Sequence, residues 1–144
     1  MEKKLHTIKV LLIVCLLTGL IQAIRFDKGQ IHDFTLFKNS KFDLSPHLEI
    51  NADSGFQGIQ KLHSKVEIPH KASKLKPLND TQKAQNTKKA SKRVPIEHIN
   101  RKCKIFKICG CRFRGKHKNY EKTWKLIAAI VNLKIATQHL KFKS

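Results

Sequence analysis

The most constraining feature of this chain is an apolar segment near its N-terminus. Residues 10–17 form an unbroken apolar run after several lysines, which is typical of a secretory signal peptide. A transmembrane helix is disfavoured, because residues 10–24 fall short of the roughly 20 apolar residues that a bilayer requires. A third interpretation is a buried β-hairpin, with strands at 10–14 and 20–26 around the turn-forming pair Thr18-Gly19. Periodicity alone leaves the alternatives open, but the pattern that follows this segment favours the hairpin.

The charge of the chain is strongly positive. Among 144 residues, 30 Lys and Arg stand against 10 Asp and Glu, which gives a formal net charge of +20 at pH 7. Such an excess attracts phosphate polymers and anionic membranes. Composition therefore predicts a polyanionic partner, and it leaves open whether that partner is DNA, RNA or lipid. The length suits one domain of ordinary size.

Short strands and a short helix are predicted after the hairpin. Residues 31–40 predict a helix, with Asp33 as a candidate N-terminal cap. Residues 48–52 predict a strand that ends at Asp53, and 66–68 predict another strand that a proline terminates.

Two helices are predicted in the next part of the chain. The lysine-rich stretch 70–93 predicts a linker followed by a polar helix that Asn79 or Asp80 caps. A second helix is predicted over roughly 94–108, because apolar residues recur at steps of three and four. Pro95 suits a first turn, so a helix is expected either to begin or to kink there. Its apolar stripe consists of Ile96, Ile99, Cys103 and Phe106.

A basic loop and a long helix are predicted at the C-terminal end. The loop covers 110–118, and the helix covers about 119–139. The predicted inner face of this helix consists of Trp124, Ile127, Ala128, Val131 and Ile135. The expected organisation is a partial sheet at 1–69, a basic linker and polar helix at 70–93, and the remainder of the same domain at 94–144.

Several segments, in this order, resemble the DDE superfamily endonuclease domain of insertion-sequence transposases. They are KLHTIK at 4–9, KGQIHDF at 28–34, ADSGFQGI at 52–59 and VPIEHINR at 94–101. FRGKHKNY at 113–120, with WKLIA at 124–128, is similar to the C-terminal end of that domain. The resemblance covers nearly the whole chain.

The resemblance implies an α/β fold of the ribonuclease H-like (integrase/transposase) class and a metal-dependent chemistry. It implies that Asp53 and Glu97 are the second and third of three catalytic carboxylates that bind Mg²⁺ or Mn²⁺. Carboxylate oxygens suit these hard cations, and a pair of metal ions assists in-line displacement at phosphorus. The implied function is DNA strand cleavage and transfer, with transposon ends and target DNA as partners, no small-molecule substrate and a homo-oligomer in the intact family.

The resemblance also implies phosphate contacts around Glu97. The family often carries an arginine four residues before this glutamate and a lysine seven after it, which correspond to Arg93 and Lys104. A tyrosine sometimes stands three residues before that arginine, and Ala90 replaces it here. Further candidate DNA-binding residues are Arg101, Arg112, Arg114 and Lys116.

The first catalytic aspartate of the family precedes the segment that resembles 4–9. The expectation is therefore a truncated fold that lacks its first, central strand. Such a chain is expected to be marginally stable and to have no strand-transfer activity by itself. The resemblance also implies a bacterial cytoplasmic protein that associates with the nucleoid through DNA.

Alternatives from other classes remain open at this point. One is a secreted or membrane-associated basic polypeptide with a cleaved signal peptide, which binds anionic surfaces. Another is a DNA-binding protein without catalysis. A zinc site built from Cys103, Cys109, Cys111 and His117 is disfavoured, because the spacing is unusual and Cys103 lies on an apolar stripe.

Overall fold

The computed structural model describes residues 7–73, 77–111 and 117–141. These residues form two compact units. One unit comprises the described residues of Met1–Gly29 and Pro95–Ser144, and the other comprises those of Gln30–Val94. We call them the hairpin unit and the Asp53 unit. The three-segment organisation expected from the sequence stays a prediction.

The predicted β-hairpin is present in the hairpin unit. Strand β1 (Ile8–Val14) pairs antiparallel with β2 (Ile21–Lys28), and a bulge follows Ile13. Gly19 adopts a φ of +70° in the connecting turn, a conformation that glycine reaches at little cost. The N-terminal apolar run is therefore a strand and not a helix. No helix among the described residues is long and apolar enough to cross a membrane.

The core of the hairpin unit lies between the hairpin and the C-terminal helix. This helix, His117–Lys141, is numbered α4 below, and all five predicted inner-face residues are buried. They pack with Ile21, Ile24, Ile99 and Cys103. The side chain of Asn132 joins helix and strand, because it accepts from the Ile21 N–H (2.8 Å) and donates to the Ile21 carbonyl (2.9 Å).

The predicted break between the polar helix and the helix at 94–108 is wrong. The structure has one helix, α2 (Asp80–Lys104), with Pro95 inside it. Proline lacks an N–H, so one carbonyl of the preceding turn loses its helical partner, and the surrounding chain is exposed enough for water to replace it. Asn79 caps the start as predicted, since its side chain accepts from the Gln82 N–H and its own N–H donates to the Gln82 side chain.

The C-terminal boundary predicted at residue 108 is also corrected. Helix α2 ends at Lys104, and the short helix α3 (Lys107–Gly110) follows it. Ile99 and Cys103 of the predicted stripe are buried, while Ile96 and Phe106 are partly buried.

The Asp53 unit contains a short helix and a parallel strand pair. Helix α1 covers Asp33–Asn39, and strands β3 (Ile50–Asn51) and β4 (Val66–Glu67) pair in parallel. Two 3-10 turns, Ser54–Phe56 and Ile59–Lys61, lie between these strands. Asp33 is not the cap that the sequence predicted, because His32 occupies the cap position without a side-chain bond. Strands and helices together agree with the predicted α/β class.

Candidate metal and DNA-binding site

Asp53 follows β3 after one intervening residue, Ala52, where the chain leaves the parallel strand pair. It caps the 3-10 turn Ser54–Phe56, and its Oδ1 atom accepts a hydrogen bond from the Ser54 N–H at 2.6 Å. The predicted position at a strand end is confirmed. Asp53 takes this position because β3 is short and because the next two residues, Ser54 and Gly55, turn the chain.

Arg93 of α2 binds the same carboxylate oxygen. Its Nη1 atom donates to Asp53 Oδ1 at 2.6 Å, and the side chains are 24% and 64% exposed respectively. Arg93 Nε is buried and has no hydrogen-bond partner among the described residues. The arginine that the resemblance assigned to DNA phosphate therefore contacts Asp53 within its own unit.

The Asp53 carboxylate is held in its charged form. Partial burial acts to raise the pKa of Asp53, but the hydrogen bonds from Ser54 and the charge of Arg93 outweigh it, so the pKa lies below its ordinary value. The Ser54 N–H and Arg93 Nη1 both bind Oδ1. The Asp53 side chain is 64% exposed, so the carboxylate is accessible to an additional ligand.

A groove of about 490 Å³ opens beside this carboxylate. One side is formed by the segment that follows β4, and the other by α2. The lining consists of Asp53, Ser54, Pro69, His70, Lys71, Ala72, Asn86, Thr87, Ala90 and Arg93. All ten residues belong to the Asp53 unit, and Asp53 is the only acid among them.

Hydrogen bonds from α2 fix the segment that forms the groove. The Asn86 side chain accepts from the His70 N–H (2.7 Å) and donates to the His70 carbonyl (3.0 Å). The His70 ring Nε2 lies 2.8 Å from Gln85 Oε1, and Lys89 donates to the Ile68 carbonyl at 2.8 Å. These bonds satisfy backbone N–H and carbonyl groups of the segment that are not paired in a β-sheet. They also hold the segment against the helix.

The remaining site residues predicted from the sequence are distributed over both units. Glu97 is exposed on α2 and belongs to the hairpin unit, whereas Asp53 belongs to the other unit. Arg101 and Lys104 are exposed in the last turn of α2. Arg112, Arg114 and Lys116 lie outside the described residues. The structure thus brings Asp53 and Arg93 together, and the roles of the other residues stay predictions.

The groups that could ligate a metal differ in their fit. Within the described ranges no three His, Cys, Asp or Glu side chains cluster as a metal site. Cys103 and Cys109 are buried free thiols, and Cys111 is an exposed one. Burial, with the nearby Cys103, raises the pKa of the Cys109 thiol to about 11. Asp53 offers the exposed, ionised oxygen that Mg²⁺ prefers.

Sequence reasoning missed His70, Lys71 and Asn86, which it assigned to a linker and a polar helix. A signal for the helical part was present, because Asn86, Ala90 and Arg93 recur at steps of four and three and so share one face of α2. No comparable pattern marks the segment on the other side of the groove.

The comparisons with known proteins identify the family. The family model described as DDE superfamily endonuclease matches residues 1–132. The chain therefore belongs to the DDE superfamily endonuclease family, and the resemblance noted in the sequence is confirmed. It is also 40% identical, over 131 residues, to a probable transposase for insertion sequence element IS702 from Microchaete diplosiphon. That alignment covers 91% of this chain and 48% of the relative, so the chain spans about half the length of the protein it matches.

No solved structure matches the chain. The ribonuclease H-like fold therefore stays an inference from the family, while the α/β content is a property of the described residues. Neither the family match nor the relative supports the secreted or membrane-associated polypeptide considered from the sequence.

Proposed function

We propose that this chain is part of the catalytic region of an insertion-sequence transposase that cleaves and transfers DNA strands with divalent metal ions. Family membership supports this chemistry. The observation that carries it is the Asp53 carboxylate, which is exposed and is held ionised by Ser54 and Arg93. The proposal includes a ribonuclease H-like arrangement of the complete domain, with action on DNA at the bacterial nucleoid.

Asp53 and Glu97 are the residues that would hold Mg²⁺ or Mn²⁺. Bound ions would activate the attacking oxygen and stabilise the leaving 3′ oxygen of the cleaved strand. Asp53 contributes a negative oxygen whose direction is fixed, because Ser54 and Arg93 together hold the other oxygen of the same carboxylate. A ligand oriented in advance loses little conformational freedom when the ion binds.

The basic residues would bind the DNA backbone. Arg101 and Lys104 are exposed on the turn that follows Glu97, where their charges suit phosphate contacts that position the strand. Arg112, Arg114 and Lys116 extend this set by resemblance. Arg93 supports Asp53 in the absence of DNA and brings a positive charge to the groove beside it.

Binding of Mn²⁺ tests the metal-ligand roles directly. Electron paramagnetic resonance of Mn²⁺ with the purified chain should detect a site that both Asp53→Asn and Glu97→Gln weaken. Asp43→Asn is the matched control, because Asp43 is an exposed acid of the same unit as Asp53 and lies outside the groove. Equal Mn²⁺ affinity in Asp53→Asn and the unmodified chain would contradict the proposal.

Nicking of supercoiled plasmid DNA in Mg²⁺ tests the expectation that the chain alone does not cut DNA. The expected result is no conversion to the open circular form above a metal-free reaction. Efficient nicking that Asp53→Asn abolishes and Asp43→Asn preserves would show that this expectation is wrong, while it would support the assignment of Asp53.

A further inference from the structure

The groove beside Asp53 carries more positive than negative charge. Asp53, its only acid, is already paired with Arg93. Lys71 is exposed and makes no ion pair with any described residue. Asn86 and Thr87 of the lining already bind His70 and the Lys83 carbonyl. The uncompensated charge of Lys71 therefore suits an anionic ligand.

The neighbouring cations of α2 are already engaged. Lys92 pairs with Glu67 at 2.8 Å, and Lys89 donates to the Ile68 carbonyl at 2.8 Å. Neither residue lines the groove. Lys71 is therefore the lysine that the groove presents to a ligand, and its position depends on how the chain is held at the preceding residue.

That preceding residue, His70, is fixed at three points. Asn86 binds both its backbone N–H and its carbonyl, and Gln85 Oε1 accepts from its ring Nε2. Because an amide oxygen only accepts, the ring proton must lie on Nε2. Three bonds to one helix limit the movement of the backbone that carries Lys71, so the start of its side chain is held beside the groove.

We propose that this groove binds a backbone phosphate of the DNA strand next to the position of Asp53, and that Lys71 contacts the phosphate. Asn86 acts as a positioning residue through His70. The volume of about 490 Å³ lies in the ~300–1,000 Å³ range of small-ligand sites and is sufficient for one nucleotide unit. The identity of the polyanion as DNA rests on the proposed function, while the site itself rests on the groove and its charges.

Binding of a fluorescein-labelled 12-nucleotide single-stranded DNA, followed by anisotropy in EDTA, tests the role of Lys71. Lys71→Ala should weaken binding about fivefold at low salt and reduce the slope of log affinity against log salt by about 0.7, as expected when one phosphate contact is lost. Lys61→Ala removes the same charge from an exposed position of the same unit outside the groove, and should change the affinity less than twofold. Equal losses in the two variants would overturn the proposal.

A double-mutant cycle tests the positioning role of Asn86. Asn86→Ala should weaken DNA binding in the unmodified chain and cause no additional loss in the Lys71→Ala variant, because its effect passes through Lys71. Circular dichroism checks that α2 is retained. Additive losses would reject the positioning role, since they would mean that Asn86 acts independently of Lys71.

The two proposals can fail separately. The anisotropy measurement excludes metal ions, so loss of the Mn²⁺ site would leave the Lys71 result unchanged. Conversely, Mn²⁺ binding that depends on Asp53, together with equal effects of Lys71→Ala and Lys61→Ala, would reject the groove alone.

Discussion

Arg93 and the Ser54 N–H bind the same oxygen of the Asp53 carboxylate, each at 2.6 Å. Because both contacts lie on one oxygen, we expect the ion pair to orient the Asp53 carboxylate for a ligand more than to stabilise the fold. Ion pairs in contact with solvent contribute about 0–1 kcal/mol, and Asp53 is 64% exposed.

Arg93→Ala should therefore cost no more than about 1 kcal/mol in the free energy of unfolding. Urea denaturation followed by circular dichroism measures this cost. Lys92→Ala, which breaks the half-exposed pair with Glu67, is a control of the same kind. A loss of several kcal/mol for Arg93→Ala alone would mean that this arginine is a structural residue of the Asp53 unit.

Asn132→Ala should destabilise the hairpin unit by about 1–3 kcal/mol. The substitution leaves the N–H and the carbonyl of Ile21 without their side-chain partner in a part-buried position. Gln138→Ala changes an exposed amide of the same helix and should be nearly neutral. Thermal unfolding of both variants provides the comparison, and similar midpoints would contradict the assigned role of Asn132.

Trp124→Ala should reduce the free energy of unfolding by about 3–5 kcal/mol, because it removes a large side chain that is only 2% exposed. Tyr120 loses its edge-to-face aromatic neighbour in the same substitution. Leu126→Ala, two residues further along α4, removes an exposed side chain and should stay within about 0.5 kcal/mol of the unmodified chain. Chemical denaturation distinguishes the two, and a small effect of Trp124→Ala would contradict the described core.

Gly58→Ala should be more costly than Gly19→Ala. Gly58 has a φ of +101°, and an added Cβ would lie 3.2 Å from the Phe34 ring, whereas Gly19 has a φ of +70° and its nearest neighbour would be 3.8 Å away. We expect losses of about 2–3 and about 1 kcal/mol respectively. Equal unfolding midpoints for the two variants would show that the Phe34 contact has no energetic effect.

The buried thiols should make stability fall at alkaline pH. Because burial raises the pKa of Cys109 to about 11, the unfolded chain ionises first, and stability decreases as pH rises from about 8.5 towards 11. Cys109→Ala should flatten this part of the profile. Cys15, whose pKa is lowered by hydrogen bonds from Thr18 and Leu17, should react with iodoacetamide before Cys109. Faster alkylation of Cys109 than of Cys15 in the folded chain would contradict this ordering.

The elements that the sequence predicted best are those with a strong local pattern. The hairpin was recognisable because apolar runs flank Thr18-Gly19, and α4 because its apolar residues keep a helical period over several turns. The cap at Asn79 was recognisable because a glutamine, Gln82, follows three residues later and exchanges hydrogen bonds with it. In each case the pattern lies in residues that are close together in the chain.

The features that the sequence did not predict depend on distant contacts or on competing local preferences. Pro95 indicated a helix start, yet α2 continues through it. The ion pair between Asp53 and Arg93 joins residues 40 positions apart, and the pairing of β3 with β4 crosses two 3-10 turns. Asp53 was identified through resemblance. No pattern in the sequence indicates that Lys71 and Asn86 line the same groove.

Deamidation of either of two asparagines would remove a hydrogen bond to the backbone. Asn132 in the hairpin unit and Asn86 in the Asp53 unit each donate through Nδ2 to a backbone carbonyl, at 2.9 and 3.0 Å. Aspartate has the same shape but no such donor, so deamidation would place a negative oxygen against a carbonyl oxygen. An exchange usually regarded as conservative would thus replace an attraction by a repulsion, once in each unit.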